Sequence, residues 1–145
     1  MAIKRKSMAG ISLIEVLISV LVLGVGMLGI AAMQATALRN SQSSLERSQA
    51  VIQVYTIFDA MRANSEVATS GGYNTTSCTA PTGGGGSLVS NDINGWLQGL
   101  KTSINSTACG TIACSATTCE AVVKWDDSRA KNGSAVQQFS IKTRL

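Results

Sequence analysis

Glu15 is the residue whose chemistry most needs an explanation. It stands in the run GISLIEVLISVLVLGVGMLGIAAM, Gly10 to Met33, and no other charge occurs between Ser7 and Leu38. A carboxylate in a segment otherwise fit to span a bilayer costs about 2.5–3.5 kcal/mol on insertion scales and calls for a partner. A basic stretch, Lys4-Arg5-Lys6, leads through Ala9 to Gly10. One arrangement that supplies a partner is cleavage after Gly10, which would create a new α-amine on Ile11, four residues before Glu15, and so place a cation and an anion at one end of an apolar helix. Where many copies pack side by side, the Glu15 of one neutralises the amine of the next. The burial cost of both charges is then relieved only in the assembly. The second set of reactive side chains is Cys78, Cys109, Cys114 and Cys119, all beyond residue 65.

Two other arrangements account for the same basic flank and apolar run. A signal peptide, with Ala31 and Ala32 as small residues for cleavage, leaves an acid early in its apolar core and a helical pattern that continues past the cut. A plain signal anchor holding an exported domain leaves Glu15 without a partner. Between Glu15 and Arg39 lie 23 uncharged residues, about 34 Å of helix, enough for a hydrocarbon core of about 30 Å. Gly24, Gly26 and Gly29 weaken a helix in water but are tolerated in lipid, where they permit close helix approach.

Composition narrows the classes. The chain has 145 residues, formal charge +4 and no histidine. Imidazole metal sites and histidine-activated nucleophiles are thereby excluded, and an enzyme is not expected. Lys4, Arg5 and Lys6 supply three of the positive charges, so the basic balance is a topology signal of the kind that flanks the cytoplasmic end of a membrane segment.

Gly10, Ile11, Ser12, Leu13, Ile14 and Glu15, with the apolar stretch after them, resemble the class III leader and N-terminal motif of type IV pilins and type II secretion pseudopilins. The resemblance implies that a prepilin peptidase cleaves after Gly10 and methylates the new N-terminus on Ile11. It also implies that Glu15 is the assembly glutamate at the fifth mature position. Most members begin with phenylalanine where this chain has Ile11. The motif covers about the first quarter of the chain.

The elements beyond the motif follow from periodicity. From Arg39 the pattern turns amphipathic, with Leu45, Ile52, Tyr55, Phe58 and Met61 near helical spacing and Val51, Val54 and Ile57 broadening the stripe. Arg39, Glu46, Gln49, Gln53, Asp59 and Arg62 fill the polar remainder. One helix over about 11–64 is expected, about 80 Å long, its second half packed on a globular head. Residues 66–90 read as a long polar connection around Pro81 and the glycine run 83–86. No strand precedes that run and no Gly-Lys-Ser/Thr follows it, so it is not a phosphate-binding loop.

A helix is expected over about 92–104, with Ile93, Trp96, Leu97, Leu100 and Ile104 on one face, Ser90 or Asn91 as cap and Trp96 as core anchor. Strands are expected at 119–126, with Ala121, Val123 and Trp125 facing one way, and at 138–145. A third is expected near 110–114, joined by a hairpin at 115–118. The fold class is α+β, a long N-terminal helix laid on a small antiparallel sheet. Asp126 and Asp127 lack the further carboxylates of a calcium loop and read as turn residues.

The cysteines do not fit zinc, because their spacing is wrong and no histidine completes a site. Export favours disulfides, which a head of roughly 80 residues poor in aromatics requires. Three connectivities are possible. Cys78–Cys109 with Cys114–Cys119 is favoured, the first tying down the glycine-rich loop and the second clipping the hairpin.

The segment GMLGIAAMQATALRNSQSSLERSQAVIQVY, continuing to FDAMRAN, resembles PilV-type minor pilins. So do Asn94-Gly95-Trp96-Leu97, Val123-Lys124-Trp125-Asp126 and Lys142-Thr143-Arg144-Leu145. This resemblance implies a low-abundance subunit that joins other minor pilins and the major pilin in priming assembly at the tip, and so supports piliation, twitching motility and adhesion. The implied organisation is a leader at 1–10, a membrane half of the helix at 11–38, an amphipathic half at 39–64 and an exported head at 65–145. The resemblance also implies a single-pass inner-membrane protein with its N-terminus cytoplasmic before assembly, and a place in the pilus on the cell surface afterwards. No cofactor or metal is expected. A pseudopilin of type II secretion uses the same helix chemistry. A DNA-binding or adhesive pilin would draw on Lys124, Arg129, Lys131, Lys142 and Arg144, which Asp126 and Asp127 dilute, so nucleic acid is not an expected partner.

Overall fold

The computed structural model describes Gly10, residues 12–79 and residues 86–145; Ile11, the leader and the segment 80–85, with Pro81 and most of the glycine run, lie outside these. The architecture is α+β. In chain order the elements are α1 (Leu13–Ala63), α2 (Ser65–Thr69), β1 (Thr75–Ser77), α3 (Leu88–Ser103), β2 (Cys109–Cys114), β3 (Cys119–Trp125) and β4 (Gln137–Thr143). The chain divides into two compact units, Met1–Ala37 and Leu38–Leu145.

The first unit is helical from Leu13, and its large apolar side chains from Leu13 to Met33 stand in the open. No water-driven packing accounts for this stretch; it is long and apolar enough to cross a membrane, with mean hydropathy 2.6 over its best window.

In the second unit α1 turns one face inward. Ala50, Val54, Ile57, Phe58 and Met61 are fully buried against Trp96, Leu97 and Leu100 of α3, Ile112 of β2 and Ala121, Val123 and Trp125 of β3. Each large side chain so buried contributes about 1.5–3 kcal/mol. Leu45, Ile52 and Tyr55, expected in this stripe, are instead 58%, 53% and 51% exposed. The core-facing row runs 46-50-54-57/58-61, at i+4 and i+3 steps. A row through 45, 52 and 55 lies on a different face of the same helix. Glu46, placed by sequence on the polar side, is buried at the head of the inward row.

The helix stops at Asn64, whose φ of −130° and ψ of 48° leave the helical region. The connection that sequence leaves irregular holds two elements. The first is α2, closed by Gly71 at φ +86°, a left-handed position that favours glycine. The second is β1, three polar residues whose ladder partners lie far along the chain, at Gly110–Ile112. Helix α3 begins four residues before the expected start. Its cap is Ser87, whose Oγ accepts the N–H of Ser90 at 3.4 Å, rather than Ser90 or Asn91.

The sheet has order β1-β2-β3-β4 with every neighbour antiparallel. β3 alternates with Cys119, Ala121, Val123 and Trp125 buried and Lys124 exposed, the face division its sequence pattern requires. Gly110 of β2 lies under the Trp96 ring, where a Cβ would collide with the indole.

Candidate functional site

The residues proposed for processing and assembly sit at the start of α1. Gly10 is exposed, and Ile11 lies outside the described residues. Ser12 caps the helix: its Oγ accepts the N–H of Ile14 at 3.4 Å and its carbonyl accepts the N–H groups of Glu15 and Val16 at 3.0 and 3.3 Å. Glu15 is therefore in the first turn. There the unpaired N–H groups and the positive end of the helix dipole favour a carboxylate. Its carbonyl accepts the hydroxyl of Ser19 at 2.7 Å. Among the described residues no ion pair involves Glu15, and its side chain is exposed.

The second unit carries the disulfides. The structure pairs Cys78 with Cys109 and Cys114 with Cys119, their Cα atoms 4.1 and 4.0 Å apart. Cys78 follows β1 directly, so the first bond fastens that short edge strand and the start of the following segment to β2. The second spans the β2–β3 hairpin, where the N–H of Ser115 also donates to the carbonyl of Thr118 at 2.8 Å.

Sequence reading missed a polar anchor between α1 and the β3–β4 connection. Arg129 Nη2 donates to Glu46 Oε1 at 2.6 Å, and Ser43 Oγ donates to Asp127 Oδ2 at 2.6 Å, with Arg47 4.0 Å from the same oxygen. Asp127 is 3% exposed and is thus a buried anchor as well as a turn residue. Beside it, Asp126 accepts the backbone N–H of Ser128 at 2.8 Å, and that bond holds its carboxyl below the usual carboxylate range. An acid at position 46 among core positions was the available signal; its partner, 83 residues away, gave none.

The basic residues considered for a nucleic-acid patch do not act as a free set. Arg129 is held by Glu46, and Lys142 stands opposite Glu120 across the β3–β4 ladder. Among the described residues no group of three metal-ligating side chains occurs.

Residues 5–31 match the family described as the prokaryotic N-terminal methylation motif. Comparison with curated proteins and with solved structures returns no match. The motif is the prepilin peptidase cleavage signal, and with the α+β fold and its long N-terminal helix it supports a type IV pilin or pseudopilin.

Proposed function

We propose that this chain is a minor pilin of a type IV pilus, of the PilV type, which takes part in initiating pilus assembly within a priming or tip complex. Piliation, twitching motility and adhesion depend on it through that role. Prepilin peptidase removes residues 1–10 by cutting after Gly10 and methylates the amine of Ile11. Residues 11–38 hold the subunit in the inner membrane, N-terminus cytoplasmic, until it enters the pilus at the cell surface. Residues 39–64 carry the head, 65–145, which selects neighbouring minor pilins and the major pilin.

The observation that carries this reading is the methylation motif with its single acid, Glu15, in the first turn of an exposed apolar helix. Left alone in hydrocarbon that acid is unfavourable by about 2.5–3.5 kcal/mol. Beside the Ile11 amine of an adjacent subunit the same charge becomes a register device for stacking helices.

The test is Glu15→Ala in the full chain. Membrane levels by immunoblot are expected to stay within twofold of wild type, while surface pili and twitching are lost. Normal piliation in that strain refutes the reading. Deletion of the gene, scored together for pili, motility and type II secretion, separates the pilus role from that of a pseudopilin.

A further inference from the structure

We propose that the groove between α1 and the β3–β4 connection holds the phosphate of an anionic phospholipid headgroup. This rests on the reading of residues 11–38 as a membrane segment that holds the subunit before assembly. The groove encloses about 220 Å³, with Asn40, Ser44 and Arg47 on the α1 side and Lys131 and Asn132 on the other, all within the second unit.

Its two walls are fixed to each other by buried acids. Asp127 Oδ2 accepts the Ser43 hydroxyl at 2.6 Å, and Glu46 Oε1 accepts Arg129 Nη2 at 2.6 Å, so the connection is pinned to α1 twice. The connection is also folded on itself. The N–H of Asp127 donates to the carbonyl of Ser134 at 2.9 Å, and those of Ala130 and Gly133 donate to the carbonyls of Asp127 and Ala130 at 3.0 Å each. A Cβ on Gly133 would collide with the Asp127 carbonyl. Lys131, between these bonds, is presented from a fixed support, as a binding group needs to be.

The charges are sorted by depth. The side chains of Asp127 and Glu46 are 4% exposed, whereas that of Arg47 is 58% exposed. Lys131 is exposed and makes no ion pair among the described residues. Asp127, the acid bordering the groove, is held by Ser43, and Arg47 approaches it only to 4.0 Å. The open face therefore offers two cations and the amide donors of Asn40 and Asn132, a set that suits phosphate oxygens. Place along the chain specifies which phosphate. Leu38 ends the uncharged run, and Asn40 and Arg47 follow it by two and nine residues, about 3 and 14 Å of helix. Helix side chains lean toward the N-terminal end, so the Arg47 guanidinium reaches back toward that boundary. Headgroups form a layer about 5–7 Å deep beyond the hydrocarbon. Orientation bias gathers cations on the cytoplasmic flank and gives no reason for them on the exported one; a headgroup phosphate does.

The test uses the full, isotope-labelled chain in non-ionic detergent micelles, titrated separately with dihexanoyl phosphatidylglycerol, dihexanoyl phosphatidylcholine and inorganic phosphate. The amide signals of Ser44, Asn132 and Gly133 are expected to shift saturably with phosphatidylglycerol, and the other two ligands to bind at least tenfold more weakly. Lys131→Gln and Arg47→Gln should each lower that affinity about fivefold, the loss expected for one cation near a charged lipid surface. Lys142→Gln, on β4 and outside the groove, should leave it within twofold. Lys131 makes no ion pair in the described fold, so Lys131→Gln carries the test even if Arg47→Gln melts early. No saturable shift, equal affinity for phosphatidylcholine, full affinity in Lys131→Gln or an equal loss in Lys142→Gln overturns the proposal. Inorganic phosphate binding as tightly as the lipid overturns the assignment to a headgroup. Alkaline extraction of cell membranes tests the anchor separately. A chain that stays in the membrane while the titration fails removes the groove site alone, whereas a chain that comes free removes the membrane reading.

Discussion

The Glu46–Arg129 pair is lopsided, and the asymmetry fixes what each substitution does. The two side chains meet at 2.6 Å, yet the glutamate side chain is 4% exposed and the arginine 59%. Glu46 Oε2 has no hydrogen-bond partner. Breaking a buried pair from one side costs about 3–5 kcal/mol, and an exposed pair is worth about 0.2–1 kcal/mol. With one partner in water, Arg129→Ala is expected to cost about 2 kcal/mol, mostly from the carboxylate it strands. Removing the acid strands nothing, because the guanidinium can turn to solvent. Glu46→Met should therefore cost less than about 1 kcal/mol, since it fills the same volume with apolar atoms. In a unit of about 100 residues, 2 kcal/mol corresponds to about 8–16 °C in melting temperature. The assay is thermal unfolding of the full chain in mild detergent, followed by near-ultraviolet circular dichroism of Trp96 and Trp125, both buried in this unit. The double variant should melt near Glu46→Met and well above Arg129→Ala. If Glu46→Met is as damaging as Arg129→Ala, or the double variant is the sum of the two, the stranded-charge reasoning is wrong.

The two disulfides close loops of very different length, 31 and 5 residues. Chain entropy gives about 4 kcal/mol for the longer and about 2 kcal/mol for the shorter, so replacing Cys78 and Cys109 with serine should lower the melting temperature more than replacing Cys114 and Cys119. Tyr73 should ionise above pH 10, because burial and then its hydrogen bond to Asp92 both disfavour the phenolate. Its contribution to stability is present below the unfolded value near 10 and is lost as pH rises through the folded value; a phenolate titration by ultraviolet absorbance should show the midpoint move down in Asp92→Asn. Gly110→Ala drives a methyl into the Trp96 ring. It should unseat the indole from the Gln53 carbonyl, red-shift tryptophan fluorescence and cost about 1–3 kcal/mol.

Much of the fold is legible because local pattern and tertiary outcome agree. The alternation Cys119–Trp125 and the apolar face of α3 through Trp96, Leu97 and Leu100 are set by strand and helix periods, and the structure buries those residues. β1 is not legible, since Thr75–Ser77 has no apolar alternation and becomes a strand only through its ladder to β2. The start of α3 is not legible, because Ser87, Ser90 and Asn91 are all competent caps and only the bond from the Ser90 backbone N–H to Ser87 Oγ distinguishes them. Leu45, Ile52 and Tyr55 misled for a related reason. A helix with apolar residues on several faces does not declare which face the sheet will cover.

The sequence by itself determined the motif of residues 5–31, because its signal is one-dimensional: a basic leader, a glycine, an acid five residues on and an uninterrupted apolar run. It also determined the fold class, through two periodicities that a single strand or helix carries alone. Only the tertiary structure decided which row of α1 faces inward, why an acid at position 46 is tolerated there, and how Arg47, Asp127 and Lys131 border one groove. Those depend on partners dozens of residues apart, brought together by the fold and invisible to any local pattern. Glu15 belongs to the first kind and its proposed partner to neither: the amine that would answer its charge lies on another copy of the chain.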